Sequence, residues 1–169
     1  MAQGIRHQGG GYQLYTDDQR RRRDASRWTL VQGILAPVQF IICIVSAILV
    51  VRFLMTGEGY MAATVSVIIK TFALYTIMVT GAIWEKEVFG QYLLAPAFFW
   101  EDVVSFVVIA LHTIYLVALF AGSMTPEQLM ITALVAYALY TVNAAQFIWK
   151  LRQARMSAPP QPQPQEVPA

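Results

Sequence analysis

Residues Ile83 to His112 read IWEKEVFGQYLLAPAFFWEDVVSFVVIALH. Two apolar blocks meet in this stretch across a polar loop of about fifteen to twenty residues, and each block is long enough to cross a bilayer. The loop holds Glu85, Glu87, Glu101 and Asp102, four of the ten acidic residues of the chain. Trp84 and Trp100 frame it, and His112 follows about three helical turns after Glu101. Carboxylates, indoles and an imidazole at the edge of a membrane suit a site better than a plain turn.

The composition agrees with a membrane chain. Of 169 residues, 57% are hydrophobic and 13% charged, against roughly 45–50% and about 25% in soluble domains. The excess lies in four blocks of about 20–25 residues, each matching a hydrocarbon core of about 30 Å. The expected fold is therefore an all-α integral membrane protein of four transmembrane helices, with spans at about 29–55, 60–83, 102–121 and 128–149. Together these form one membrane domain over 16–155. A net charge of +2 gives no reason to expect nucleic acid. Basic residues cluster at both ends, which predicts that both termini face the cytoplasm. No cleavage site follows the first apolar block, so a removable signal peptide is not expected. The single cysteine, Cys43, lies inside a span and has no disulfide partner in the chain.

Residues 1–15 are Gly- and Gln-rich and read as a disordered extension, as does the Pro/Gln tail over 156–169. Thr16 and Gln19 have capping-box spacing, and Asp17 and Asp18 suit a helix N-terminus. A short helix on the membrane surface is expected there, with Arg20–Arg23 toward headgroups. In the first span Gln32, Gln39 and Ser46 recur every seventh residue, with Ala36 and Cys43 between them. This stripe should face protein. Lys70 falls near the middle of the second span, where a lysine costs at least about 2.5–3.5 kcal/mol. It should face the bundle interior or a ligand. In the third span Glu101, Ser105, Val108, His112 and Tyr115 share one face, because eleven residues bring Glu101 and His112 to within about 20° around the axis. Tyr137, Tyr140, Thr141, Asn143 and Gln146 make the fourth span polar on one side, and Trp149 and Lys150 mark its interface.

With spans two and three as antiparallel neighbours, Lys70 lies about 20 Å deep and His112 about 14–16 Å deep. Gln39 and Tyr137 reach similar depths. The expected site is a pocket with carboxylates at its mouth and aromatics below, suited to a flat amphipathic ligand. Plainer readings stand beside this one. Lys70, His112 and the tyrosines Tyr75, Tyr137 and Tyr140 serve equally as helix-to-helix bonds, the carboxylates as caps or solvated charges, and Trp84 and Trp100 as belt residues. Neither a metal-ligand spacing such as H-E-x-x-H nor a phosphate loop occurs.

Three segments carry a resemblance. They are RRRDASRWTLVQGILAPVQF (Arg21–Phe40), IMVTGAIWEKEVFGQYLLAPAFFWEDVVS (Ile77–Ser105) and IALHTIYL (Ile109–Leu116). With the TGEGY turn (Thr56–Tyr60) and Lys70–Thr71, the chain from about Leu14 to Arg155 resembles the 3-vinyl bacteriochlorophyllide hydratases of bacteriochlorophyll biosynthesis. The resemblance implies a hydro-lyase that adds water to the C3 vinyl group of chlorophyllide a or a vinyl bacteriochlorophyllide, giving a 1-hydroxyethyl chlorin. It also implies a multi-pass protein in the cytoplasmic membrane of a phototrophic bacterium, with the bilayer and other pigment-synthesis enzymes as its surroundings.

The chemistry of that reaction then suggests roles. Hydration needs an acid for the terminal carbon, a base for water, and negative charge near the developing cation. Glu101 is the first candidate for the acid, with Asp102 or Glu85 next, and His112 for water activation. No cofactor is expected, since the substrate carries its own magnesium, to which His112 is an alternative ligand. Lys70, Tyr75 and Tyr137 are candidates for binding polar substituents, and Trp84, Phe98, Phe99 and Trp100 for the flat walls. A non-catalytic chlorin carrier or pigment assembly factor is the other expectation. It would need His112 but tolerate loss of the carboxylates.

Overall fold

In the computed structural model, which describes residues 14–156, five helices follow one another. Helix α1 (Asp17–Ala25) is short, and α2 (Arg27–Thr56), α3 (Tyr60–Phe89), α4 (Phe99–Ala121) and α5 (Pro126–Met156) are long. The last four are long and apolar enough to cross a membrane. The expectations for residues 1–13 and 157–169 lie outside the described residues.

The predicted Thr16–Gln19 cap forms, and Ser26 supplies a second. Thr16 Oγ1 accepts from the Gln19 amide at 3.2 Å and Gln19 Oε1 accepts from the Thr16 amide at 2.9 Å, a capping box that starts α1. Ser26 Oγ accepts from the Trp28 amide at 3.2 Å to start α2, and the same hydroxyl donates to Glu87 on α3 at 2.7 Å. Leu14 and Tyr15, at the end of the stretch read as an extension, are buried. They pack with Val88 and Phe98, backed by Trp84, Phe89 and Phe147, and the Arg23 guanidinium lies 4.8 Å over the Tyr15 ring.

The bundle consists of two helical hairpins, α2 on α3 and α4 on α5, joined mainly by α2 against α5. Spans two and three, expected as close neighbours, touch only lightly. The main core runs through all four long helices and centres on Val50, Ala63, Val67, Val108, Tyr115 and Met130. The polar stripe of the first span turns inward as expected: Gln39 and Ser46 are buried, and Gln32 donates to Thr80 at 2.7 Å.

The connection between α3 and α4 is shorter than the charges suggested. Helix α3 runs on through Glu85, Lys86 and Glu87 to Phe89, and Gly90 closes it at φ 87°. A left-handed residue there is natural for glycine. Helix α4 then opens at Phe99, so the loop is 90–98 and all four acidic residues stand on helices, with Glu85, Glu101 and Asp102 buried. Glu87 is helical too, exposed and bonded by Ser26.

Ala63 is fully buried where α3 packs into the core. An Ala63→Leu change forces extra volume into a filled space and should cost about 1–3 kcal/mol. Thermal unfolding in detergent should show a melting temperature several degrees lower, with helix content unchanged below it.

Candidate functional site

Three of the four carboxylates converge at the α3–α4 end of the bundle. Asp102, in the first turn of α4, accepts from the Leu94 amide at 2.7 Å. Glu85, on α3, accepts from the Ala95 amide at 3.2 Å. Both side chains are buried and lie near one another, bonded to consecutive loop amides. Two buried neighbouring carboxyl groups are costly to ionise together, which favours a proton on one of them. Leu94 sits at φ 60°, the only non-glycine with positive φ among the described residues. Such a backbone costs on the order of 1–2 kcal/mol, and the carboxylate-to-amide bonds on Leu94 and Ala95 hold it in place.

Glu101 faces away from this pair, toward α5. Its Oε2 lies 2.6 Å from the Lys150 ammonium, with both side chains mostly buried. Lys150 also stands 5.3 Å from the centre of the Phe98 ring. Glu101 and Lys150, with Trp149 and Gln153, line an open cleft of about 240 Å³. Trp149 is 66% exposed, and Phe99 and Trp100, at the start of α4, are exposed as well. The ion pair is therefore shielded on the bundle side and open on the other. Asp102 is close enough to feel both Glu101 and Lys150.

A second polar group lies deeper. Lys70 is fully buried, donates to Gln39 Oε1 at 3.0 Å and stands 3.6 Å above the Tyr140 ring. Gln39 Nε2 in turn donates to the Ala73 carbonyl at 3.0 Å. His112 Nδ1 donates to the Val108 carbonyl at 2.8 Å, and its ring packs 5.8 Å from that of Tyr137. Tyr137 bonds Ser46, and Ser46 bonds Ser66, each at 2.7 Å. Tyr75 is tied to Thr113 at 2.7 Å.

The candidate residues thus fall into two groups. Glu85, Glu101 and Asp102 come together at one end, while Lys70, His112 and Tyr137 form a separate layer about 16 Å further along α4, at 1.5 Å per residue. Of the aromatics, Trp84 and Phe98 are taken up in packing. Their rings meet at 5.7 Å, Phe98 also stacks on Phe147 at 5.6 Å, and Trp84 Nε1 donates to Thr29. Phe99 and Trp100 remain available as an exposed edge-to-face pair with centroids 5.4 Å apart. Lys150 and Trp149, read from the sequence as interface markers, prove to be part of the cleft. The signal that could have found Lys150 is the helical spacing Tyr140, Asn143, Gln146, Lys150, which continues the polar side of α5 to its end.

The model of the 2-vinyl bacteriochlorophyllide hydratase (BCHF) family matches residues 15–153. A protein named 2-vinyl bacteriochlorophyllide hydratase from Rhodobacter capsulatus is 70% identical over 145 residues, covering 86% of this chain and 84% of its own. One of the same name from Cereibacter sphaeroides is 69% identical over 143 residues, covering 85% and 89%. No solved structure matches the chain.

The loop geometry makes a prediction of its own. Asp102→Ala removes the charged acceptor for the Leu94 amide, a bond worth about 1.5–3 kcal/mol. Amide exchange in 90–98 should then quicken about 10- to 100-fold, whereas Asp102→Asn, which keeps an acceptor oxygen, should change it far less. Mass-resolved hydrogen exchange reads the difference.

Proposed function

The chain belongs to the 2-vinyl bacteriochlorophyllide hydratase family, and we propose that it adds water across the vinyl group of a bacteriochlorophyllide in bacteriochlorophyll synthesis. Chlorophyllide a, or its vinyl bacteriochlorophyllide counterpart, is the expected substrate. The observation that carries the site is the mostly buried Glu101–Lys150 pair opening into a cleft beside an exposed tryptophan.

The reaction can be followed bond by bond. A proton goes to the terminal vinyl carbon, and the cation forms at the carbon attached to the macrocycle, which delocalises it. Water adds there and loses a proton, leaving a secondary alcohol. With Lys150 held against it, Glu101 suits the anionic role: it stabilises the cation across a weakly solvated gap and takes the proton of the attacking water. The proton shared by Glu85 and Asp102 then serves the terminal carbon, reached when the 90–98 loop lifts. Glu101 then passes the proton taken from water to its neighbour Asp102, which restores the proton of the Glu85–Asp102 pair for the next turnover.

The cleft is smaller than the roughly 300–1,000 Å³ of sites that enclose a drug-sized ligand. It admits the vinyl-bearing edge of a chlorin, with the macrocycle lying outward over Trp149 and the Phe99–Trp100 pair. An amphipathic ring system reaches such a site from the membrane interface without leaving the lipid. The magnesium travels with the substrate. His112, closed in the core, is better placed to bind water than that metal.

Four spans put both chain ends on one side. The arginines of α1 and the start of α2 lie there with Lys150 and Arg152, and this excess of positive charge supports a cytoplasmic side. The membrane is then the cytoplasmic membrane of a phototrophic bacterium, and the short helix α1 rests at its surface.

Membranes from a host that makes no chlorins, given chlorophyllide a, should yield a product heavier by one water with a blue-shifted red absorption band. Glu101→Gln should lower kcat by about 10²- to 10⁴-fold while leaving chlorin binding within a few-fold. Unchanged turnover in that variant would remove Glu101 from the mechanism. Binding by the wild-type chain without any mass change would point to a carrier.

A further inference from the structure

The facing stripes of α4 and α5 do more than zip the hairpin together. From the Glu101–Lys150 pair inward, Ser105 meets Asn143, and His112 meets Tyr137. Ser105 Oγ donates to the Glu101 carbonyl at 2.8 Å and accepts from Asn143 Nδ2 at 2.7 Å. That bond fixes the amide's orientation and points Asn143 Oδ1 the other way. Among the described residues nothing donates to Asn143 Oδ1, to Gln146 Oε1 or to His112 Nε2, and all three atoms are out of contact with solvent. Asn143 and His112 are themselves more than nine-tenths buried.

These three atoms have one property in common. The Nδ1–H of His112 is committed to a carbonyl, so in the neutral ring Nε2 is an acceptor. Asn143 Oδ1 and Gln146 Oε1 are acceptors by nature. An acceptor buried in an apolar bundle without a donor costs about 1–3 kcal/mol. Water, a small donor that also accepts, is the usual solution. At the inner end Lys70 supplies the reverse need. Its ammonium has three N–H bonds, of which Gln39 takes one and the Tyr140 face another, and among the described residues no carboxylate pairs with it. A spare N–H at Lys70 and open lone pairs at His112, Asn143 and Gln146 are the partners that bound water needs.

We infer that the α4–α5 seam holds a file of bound water, running from Lys70 and His112 past Asn143 and Gln146 to the Glu101–Lys150 cleft, and that this file supplies the water that is added. The inference rests on the hydratase reading for its role, but not for the presence of the water. A chlorin edge seated in the cleft covers it from the membrane side and excludes bulk solvent. The reacting water then reaches the cation from the bundle side, next to Glu101, and the file refills when product leaves. No bond is made or broken beyond those of the hydration itself.

Hydroxyl-radical footprinting of the whole protein in nanodiscs tests the water directly, because buried rings next to bound water are labelled while dry ones are not. Tyr137 and Tyr140 should be labelled at rates well above that of Phe98, which is buried in the aromatic cluster. Labelling at the Phe98 level would overturn the inference, whatever the activity. The role is tested by Asn143→Leu and Gln146→Leu, which fill the seam with apolar volume. Each should lower kcat about tenfold or more with KM for chlorophyllide a unchanged, and reduce labelling of Tyr140. Loss of labelling in these variants with full kcat would support the water in the unaltered seam but overturn its supply role. An inactive wild-type chain with labelled tyrosines would count against the hydratase reading alone.

Discussion

A hydrocarbon environment offers no partner to a polar atom, so each polar side chain in a span must find one inside the protein or lose several kcal/mol. Most of what is distinctive here follows from that constraint. Gln39, Ser46, Lys70, His112, Tyr137 and Asn143 all face inward and are buried, while the outer faces carry Ile, Val, Leu and Phe. The bonds that result, Gln39 to Lys70, Ser46 to Tyr137, Ser105 to Asn143, fix the rotation of each helix about its axis. With rotation fixed, Glu101 and Lys150 meet at the end of the α4–α5 hairpin although 49 positions separate them in sequence.

The same constraint divides the carboxylates by role. At the end of the bundle water is near, and charge is tolerated if it is paired. Glu101 is paired with a cation and opens on a cleft. Glu85 and Asp102 are bonded to the backbone of a loop held in an unfavourable conformation at Leu94. The proposed vinyl hydration draws on both sets, which stand at adjacent points of the same end of the bundle.

Much of this was legible in the residues. Span count followed from block length, the Thr16–Gln19 box from its spacing, and the inward stripe Glu101–Ser105–Val108–His112–Tyr115 from helical periodicity; all five of those side chains are buried. The end of α3 was not legible. Glu85, Lys86 and Glu87 look like loop in a membrane chain, but a helix that leaves the hydrocarbon continues in water as long as its bonds are intact, and only Gly90 ends it. The split between the two polar groups was hidden for another reason. Angular agreement between Glu101 and His112 says nothing about the distance along the axis. The partnership with Lys150 depends on how α5 docks, which no local pattern records. Likewise Phe98 and Trp84 resemble ligand platforms in composition, and only packing shows that Tyr15, Phe89 and Phe147 already occupy their faces.

The central claim is that Glu101 and Lys150 act as one unit in the reaction. A double-mutant cycle on kcat, with Glu101→Gln, Lys150→Met and the combination, measures that most directly. If the pair works as a unit, the double variant should be hardly slower than the worse single one, because the first change already disables what the second would remove. Effects that multiply would mean that the two residues contribute independently, and the ion pair would then be a structural tie beside a site built from other groups.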